Sequence, residues 1–242
     1  MTNHATIHVV HPGGYLQCMS YLICGPEGAI LVDPGSGASE EKLFDGIRRA
    51  GVCMEDIHHI LLTHCHVDHS LGVYRLLNRD RILFSSIRTA EIIQAGGHQV
   101  WYEYPDYVIP THVDRVVKDG EILDLCGLKI QALYTPGHTD GCASYLVETK
   151  EGLVALTGDL LCDNGQPGWS GSEGFSVEAS MSSLQKLIEQ SPRYAFWGHG
   201  VIQRPALDWL REGLSLGRSS CWSLSTELHP DGRPPAHLKK KR

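Results

Sequence analysis

The chain has 242 residues, 42% of them hydrophobic and 20% charged, which is enough apolar material for a sizeable core in one large unit. Its formal net charge of −7 provides no global field for attracting nucleic acid or an anionic membrane, so a small-molecule substrate is expected and neither of those partners is. Eight cysteines, Cys18, Cys24, Cys53, Cys65, Cys126, Cys142, Cys162 and Cys221, are scattered without a C-x-x-C pair, which reads as reduced thiols rather than a disulfide framework.

The start, MTNHATIHVVHPGG, has neither the basic opening nor the apolar stretch of a secretory signal, and no apolar run long enough to span a bilayer follows. The cytoplasm is therefore the expected location. Residues 1–228 are expected to form a single domain, and 229–242, ending in Lys239-Lys240-Lys241-Arg242, a flexible, solvated basic tail. The sequence carries no reading of oligomeric state.

Short apolar runs at 6–10 (TIHVV), 20–24 (SYLIC) and 29–32 (AILV) predict strands. The signals Pro12-Gly13-Gly14 and Gly25-Pro26-Glu27-Gly28 between them predict turns. The third run ends in Asp33-Pro34-Gly35. That carboxylate either shapes the turn or accepts a hydrogen bond from a metal-bound histidine. Residues 39–50 carry Leu43, Ile47 and Ala50 at helical spacing before Gly51, a helix with its C-terminal stop.

The apolar run 59–63 then leads straight into His64-Cys65-His66-Val67-Asp68-His69. Alternate residues of an extended chain share a face, so His64, His66 and Asp68 are expected to converge while Cys65 points away. His69 is expected to open a helix over 70–77 and to point elsewhere, as two adjacent metal ions would require. Imidazoles and carboxylates suit zinc, iron or manganese, and protein ligands on one side leave room for water.

Residues 81–85 predict a strand and 87–95 a helix, so this half alternates strand and helix, with functional loops at one sheet edge. The stretch 96–111, GGHQVWYEYPDYVIPT, is a long aromatic loop read either as a wall or lid over the site or as an insertion pinned to the surface by its aromatics. His98, Trp101 and Tyr104 are its candidate substrate contacts. Runs at 115–117, 121–125 and 128–134 suggest a meander with Asp119-Gly120 as one tight turn. It ends at Thr135-Pro136-Gly137-His138. Strands at 144–148 and 153–156 lead to Thr157-Gly158-Asp159, and Trp169 and Phe175 in or beside the following glycine-rich loop are further candidates for an apolar substrate wall. A helix over 177–188 and a strand over 194–197 lead to Gly198-His199-Gly200; Trp197 is assigned to the core. A last helix is expected around 205–210.

Four strand ends thus deliver His64/His66/Asp68/His69, His138, Asp159 and His199. In this order, with Asp33 in its LVDPG segment, these motifs resemble the metallo-β-lactamase superfamily over about residues 5–200. The resemblance implies an α/β fold, an αββα sandwich of two mixed β-sheets flanked by helices, with the metal centre at one edge. It implies two divalent metal ions, with zinc expected and iron or manganese also suited. His64, His66 and His138 would hold one ion and Asp68, His69 and His199 the other, with Asp159 bridging. Two cations sharing a water lower its pKa and hold a hydroxide for attack, and Asp68 is the candidate catalytic group that relays a proton to the leaving group. The expected reaction is hydrolysis of a small ester, thioester or lactone.

The alternative is a persulfide dioxygenase. Thr63-His64-Cys65-His66 and the run Thr135-Pro136-Gly137-His138-Thr139-Asp140-Gly141-Cys142 resemble those enzymes, which use one iron; here His66 or a neighbour, His138 and Asp159 would hold it. Seven ligand-type residues and a final Gly-His-Gly favour the dinuclear hydrolase. A β-lactamase, a nuclease and a non-catalytic metal-binding domain rank lower.

Overall fold

A computed structural model describes residues 3–14, 16–76 and 81–224. Its frame is two six-stranded sheets. The first contains β1 (Thr6–Gly14), β2 (Gln17–Gly25), β3 (Gly28–Val32), β4 (Ile57–Leu61), β5 (Ile82–Ser85) and β6 (Arg115–Val116), side by side in chain order. The second contains β7 (Ile122–Leu125), β8 (Leu128–Tyr134), β9 (Ala143–Thr149), β10 (Gly152–Leu156), β11 (Tyr194–Trp197) and β12 (Gly200–Val201), also in chain order. Both are mixed. In the first, β1 to β3 pair antiparallel and β3 to β6 parallel; in the second only β10 and β11 pair parallel.

The period-two alternation of the strands builds the layers. Ile30 and Val32 of β3 face Ile130, Ala132, Tyr145 and Val147 of the other sheet in a central apolar core. The intervening Leu31 faces outward, with Leu43 and Ile47 of α1 (Glu40–Arg49) and Ile92 and Ile93 of α3 (Ile87–Ala95) in the first outer layer. On the far side Leu133, Leu146 and Ala155 pack with Leu184 and Leu187 of α4 (Val177–Gln190) and Trp209 and Leu210 of α5 (Ala206–Arg218). The result is the expected αββα sandwich.

Local chemistry sets the helix ends. Ser86 caps α3 by accepting from Thr89 N at 3.2 Å, and Ser176 caps α4 by accepting from Ala179 N at 3.1 Å, each satisfying an otherwise orphaned amide. Ser86 Oγ and Thr89 Oγ1 also donate to Gly141 O, at 2.5 and 2.8 Å. The start of α3 thereby anchors the His138 turn.

Four expectations change. Pro12-Gly13-Gly14 belongs to β1, whose register shifts between Val9 and His11, so the reversal comes after Gly14. The meander does not form, because β6 pairs with β5 and β7 with β8; Asp119-Gly120 lies on the crossing between sheets, and Cys126-Gly127, both at positive φ (51° and 72°), make the hairpin turn. The helix after the histidine motif, α2 (Val67–Ser70), starts two residues before His69 and continues as a 3-10 turn, Leu71–Arg75; Leu77 lies outside the described residues. The last helix runs on to Arg218 because Leu210, Gly213, Leu214 and Gly217 extend its buried stripe. The expected basic tail, 229–242, lies outside the described residues.

Candidate metal centre

β8 and β10 each pair antiparallel with β9, and β10 is parallel to β11. Their C-terminal ends, delivering His138, Asp159 and His199, therefore meet one edge of the second sheet. β3 and β4 are likewise parallel and deliver Asp33 and the His64–His69 motif at one edge of the first sheet. Bonds between the sheets set these edges against each other: Ala143 N donates to Thr63 O at 2.8 Å, Tyr145 OH to Leu62 O at 2.9 Å and Met19 N to Gly198 O at 2.7 Å.

Asp33, at φ +50°, turns its buried carboxylate under the motif. Thr63 N donates to its Oδ1 at 2.8 Å, Thr63 Oγ1 donates to its Oδ2 at 2.6 Å, and His69 Nδ1 lies 2.8 Å from the same Oδ2. An acceptor-only carboxylate at that distance holds a proton on His69 Nδ1, so Nε2 is the nitrogen that faces the cluster and is open to a metal ion. Asp33 therefore orients a histidine as well as shaping its turn. Thr63 was not singled out from the sequence; a hydroxyl residue at the strand end, directly before the motif, was the available signal.

The seven candidate ligands come together. Three overlapping groups, His64/His66/His138, His64/His69/Asp159 and Asp68/His69/His199, each hold their donor atoms within 4.8 Å of one another. His66 Nδ1 and His138 Nε2 are 2.9 Å apart. His199 Nε2 lies 3.3 Å from both Asp68 Oδ2 and Asp159 Oδ2, and His69 Nε2 lies 3.3 Å from Asp159 Oδ1. Extended-chain alternation explains His64 and His66, but Asp68 and His69 arrive from the first turn of α2. Cys65 faces away into the first outer layer.

Charge divides the cluster. Burial holds His64 and His138 below the ordinary imidazole value and His66 at about 3, so all three are neutral donors. Burial also opposes charge on His199, but Asp159 and Asp68 outweigh it and raise the imidazole to about 10. Burial likewise works against ionised Asp159, and the facing His199 and His69 more than offset it, keeping the carboxyl well below its usual range. Ionised carboxylates and neutral imidazoles are the forms that bind cations.

The donor set fits a cation. His64 Nε2, His69 Nε2 and Asp159 Oδ1 are buried without a hydrogen-bond partner, although such orphans ordinarily cost ~1–3 kcal/mol each. These residues form one of the three groups, and cations bound in the cluster would satisfy all three atoms. Gly198 is required beside them, because a Cβ there would lie 1.8 Å from Asp159 Oδ1 and 2.6 Å from His69 Cε1.

A cavity of about 300 Å³ opens over the cluster, lined by His66, Asp68, His138, Asp159 and His199 on one side and by Leu16, Trp101, Tyr102, Trp169 and Trp197 among its other residues. Of the candidate substrate contacts, Trp101 and Trp169 line it. Tyr104 instead packs edge-on against Trp101 at 5.3 Å, Phe175 is half-buried outside the lining, and His98 is bonded to Glu173. Trp197, assigned to the core, also reaches the lining, because it packs its ring edge-on against His199 at 5.4 Å. Tyr102 and Glu103 were missed as lining residues; the aromatic loop pointed to their segment without distinguishing which side chains face inward. Glu173 N donates to Tyr102 OH at 2.9 Å and Tyr102 stacks edge-on against Trp169 at 5.0 Å, joining this loop to the glycine-rich one.

Among known proteins, the profile of the metallo-beta-lactamase superfamily matches residues 13–199. An N-acyl homoserine lactonase of a Bacillus species is 30% identical over 238 residues, covering 84% of this chain and 90% of that protein. The atrochrysone carboxyl ACP thioesterase of Aspergillus fumigatus is 27% identical over 184 residues, covering 76% of this chain and 50% of the relative. A β-lactamase structure from Chitinophaga pinensis superposes with a TM-score of 0.68 at 20% identity, covering 91% of this chain and 92% of the other, a likeness of fold alone. With its two mixed sheets, its converged histidines and aspartates, and this extent of similarity, the chain belongs to the metallo-β-lactamase superfamily and is a metal-dependent hydrolase.

Proposed function

We propose that this hydrolase opens a lactone or cleaves a thioester or ester at a centre of two divalent ions, with zinc expected and iron or manganese also suited. His64, His66 and His138 would hold one ion and Asp68, His69 and His199 the other, with Asp159 between them. When bound, such ions would supply Lewis-acid polarisation of the acyl carbonyl and a water of lowered pKa as nucleophile. The observation that carries this reading is the convergence of all seven donors in one cluster, of which His66, Asp68, His138, Asp159 and His199 line a single cavity. The lactonase and thioesterase relatives support the reaction class.

The remaining work falls to the chain's own groups. Asp68 lines the cavity, with Oδ2 at 3.3 Å from His199 Nε2; its carboxylate takes a proton from the attacking water and passes it to the leaving oxygen or sulfur. Trp169, 5.9 Å from the His66 ring, and Tyr102, at 6.1 Å, hold the acyl part and displace water from it. Asp33 keeps His69 in its donor tautomer.

Among the described residues no helix is long and apolar enough to cross a membrane. The cytoplasmic location stays a proposal, supported by eight cysteines that are all free thiols.

The test is turnover of an acyl lactone, an acyl thioester and an aryl ester by metal-loaded protein. Hydrolysis of at least one, abolished by chelation and restored by metal, is the expected result. Inactivity on all three with both ions bound would refute the proposal, and oxygen consumption on a persulfide would replace it with the dioxygenase.

A further inference from the structure

Between Leu160 and the start of α4 the chain forms neither helix nor strand, yet it gives the cavity Cys162, Gly168 and Trp169. A wall without its own ladder of backbone bonds must be held from outside. Downstream of Trp169 the metal site holds it: Ser172 Oγ donates to His138 O at 2.5 Å, and Glu173 N to Tyr102 OH at 2.9 Å. Upstream, the end of the described chain holds it. Trp209 Nε1 of α5 donates to Cys162 O at 2.7 Å, Trp222 Nε1 to Gly165 O at 3.2 Å, and Ser223 N to Gln166 Oε1 at 2.7 Å. Cys162 N donates to Gln166 O at 2.7 Å and Gly165 N to Cys162 O at 3.0 Å, so residues 162–166 are one turn gripped by two indoles.

Trp222 lies beyond α5 and is buried in the same apolar cluster as Trp209 and Leu214. Its ring closes over Gly217, where a Cβ would lie 3.0 Å from Trp222 Cζ2. Gly165 is buried, and a buried carbonyl deprived of its donor moves to find another. Only Gln166 and Pro167 separate it from Gly168, a stretch stiffened by the proline. Gly168 has no room to absorb a shift, because a Cβ there would lie 2.3 Å from Asp159 O and 2.9 Å from His138 Nδ1. A displaced turn therefore moves Trp169. Resting on the hydrolase reading for its kinetic half alone, we propose that Trp222 is a positioning residue: its indole N–H fixes the 162–166 turn, and through it the Gly168–Trp169 wall that holds the acyl part of the substrate. The segment after α5 thus sets substrate affinity without touching substrate or metal.

The test compares metal-loaded native protein with Trp222→Phe, which keeps an aromatic ring in the cluster and removes the N–H donor. Gln166→Ala is the second variant; it removes the acceptor of Ser223 N, leaves the packing of α5 untouched and keeps the question answerable if Trp222→Phe does not fold. Hydrogen exchange of the amides of residues 162–169 is expected to be at least about tenfold faster in Trp222→Phe and to change in the same direction, by less, in Gln166→Ala, with exchange in β8 and β9 and the metal content as in the native protein. With an acyl compound that the native protein turns over, KM should rise several-fold and kcat stay within about twofold, the signature of lost uniform binding. Unchanged exchange over 162–169 in both variants, faster exchange spread over the whole chain, or a loosened turn with KM unaltered would each overturn the proposal. If no acyl compound is turned over, the hydrolase reading fails by itself, and exchange still decides whether Trp222 positions the wall.

Discussion

Asp33→Asn isolates the role of the carboxylate beneath the metal centre. Asn keeps the size of the side chain and tolerates the left-handed backbone at φ +50°. Its Oδ1 can still accept from Thr63 N, as Asp33 Oδ1 does at 2.8 Å. The amide nitrogen then occupies the place of Oδ2, where Thr63 Oγ1 and His69 Nδ1 now donate at 2.6 and 2.8 Å. Facing a donor, His69 Nδ1 must become an acceptor, so its proton moves to Nε2. That nitrogen is the one 3.3 Å from Asp159 Oδ1, and once protonated it cannot bind an ion. Removing the partner behind a ligating histidine costs ~10–100-fold in metal affinity. The loss should fall on the ion held by His69 and spare the one held by His64, His66 and His138. Competition against a chromophoric chelator resolves the two affinities. If both remain unchanged in Asp33→Asn, the tautomer argument is wrong and Asp33 serves only its turn.

Gly198→Ala forces a Cβ to 1.8 Å from Asp159 Oδ1; an overpacking strain of ~1–3 kcal/mol should displace that carboxylate and remove turnover and metal together, whereas full metal content with normal turnover would show that the site can relax. Metal uptake at neutral pH should release protons, because, against burial, the facing carboxylates hold His69 well above the ordinary imidazole value and raise His199 to about 10, so both are charged in the metal-free protein. Affinity should then rise with pH by about tenfold per unit for each proton displaced, up to that value; calorimetry in buffers of different ionisation heat reads the release, and an affinity that is flat or falls with pH would contradict it. Trp209→Ala empties the space between α5 and the second sheet and removes the bond from Trp209 Nε1 to Cys162 O at 2.7 Å, so denaturant unfolding should show a loss of ~3–5 kcal/mol. A loss below about 1 kcal/mol would be ordinary for a surface site and would refute the packing assigned to α5.

The sequence carried the strands and their exit points well, because alternation and turn residues are local signals. The runs 128–134 and 194–197 are β8 and β11 to the residue, and the ligand motifs lie where those and similar runs end. What it could not carry was non-local. Whether 115–117 pairs with 121–125 or with β5 depends on the competing sheet edge, and the structure gives it to β5. Period-two alternation explained how His64 and His66 share a face, but an α-helical turn starting at Val67 brings Asp68 and His69 by another route. The aromatic loop was legible as a segment over the site. Which rings face the cavity was not, because Trp101 and Tyr102 line it while Tyr104, with similar chemistry, packs behind Trp101.

The most direct test of the central claim is elemental analysis of protein purified without added metal or chelator, repeated on Asp159→Ala. The account predicts about two divalent ions per chain, with loss of metal and of hydrolysis together in the variant. One iron per chain, or two ions retained by Asp159→Ala with turnover intact, would contradict it.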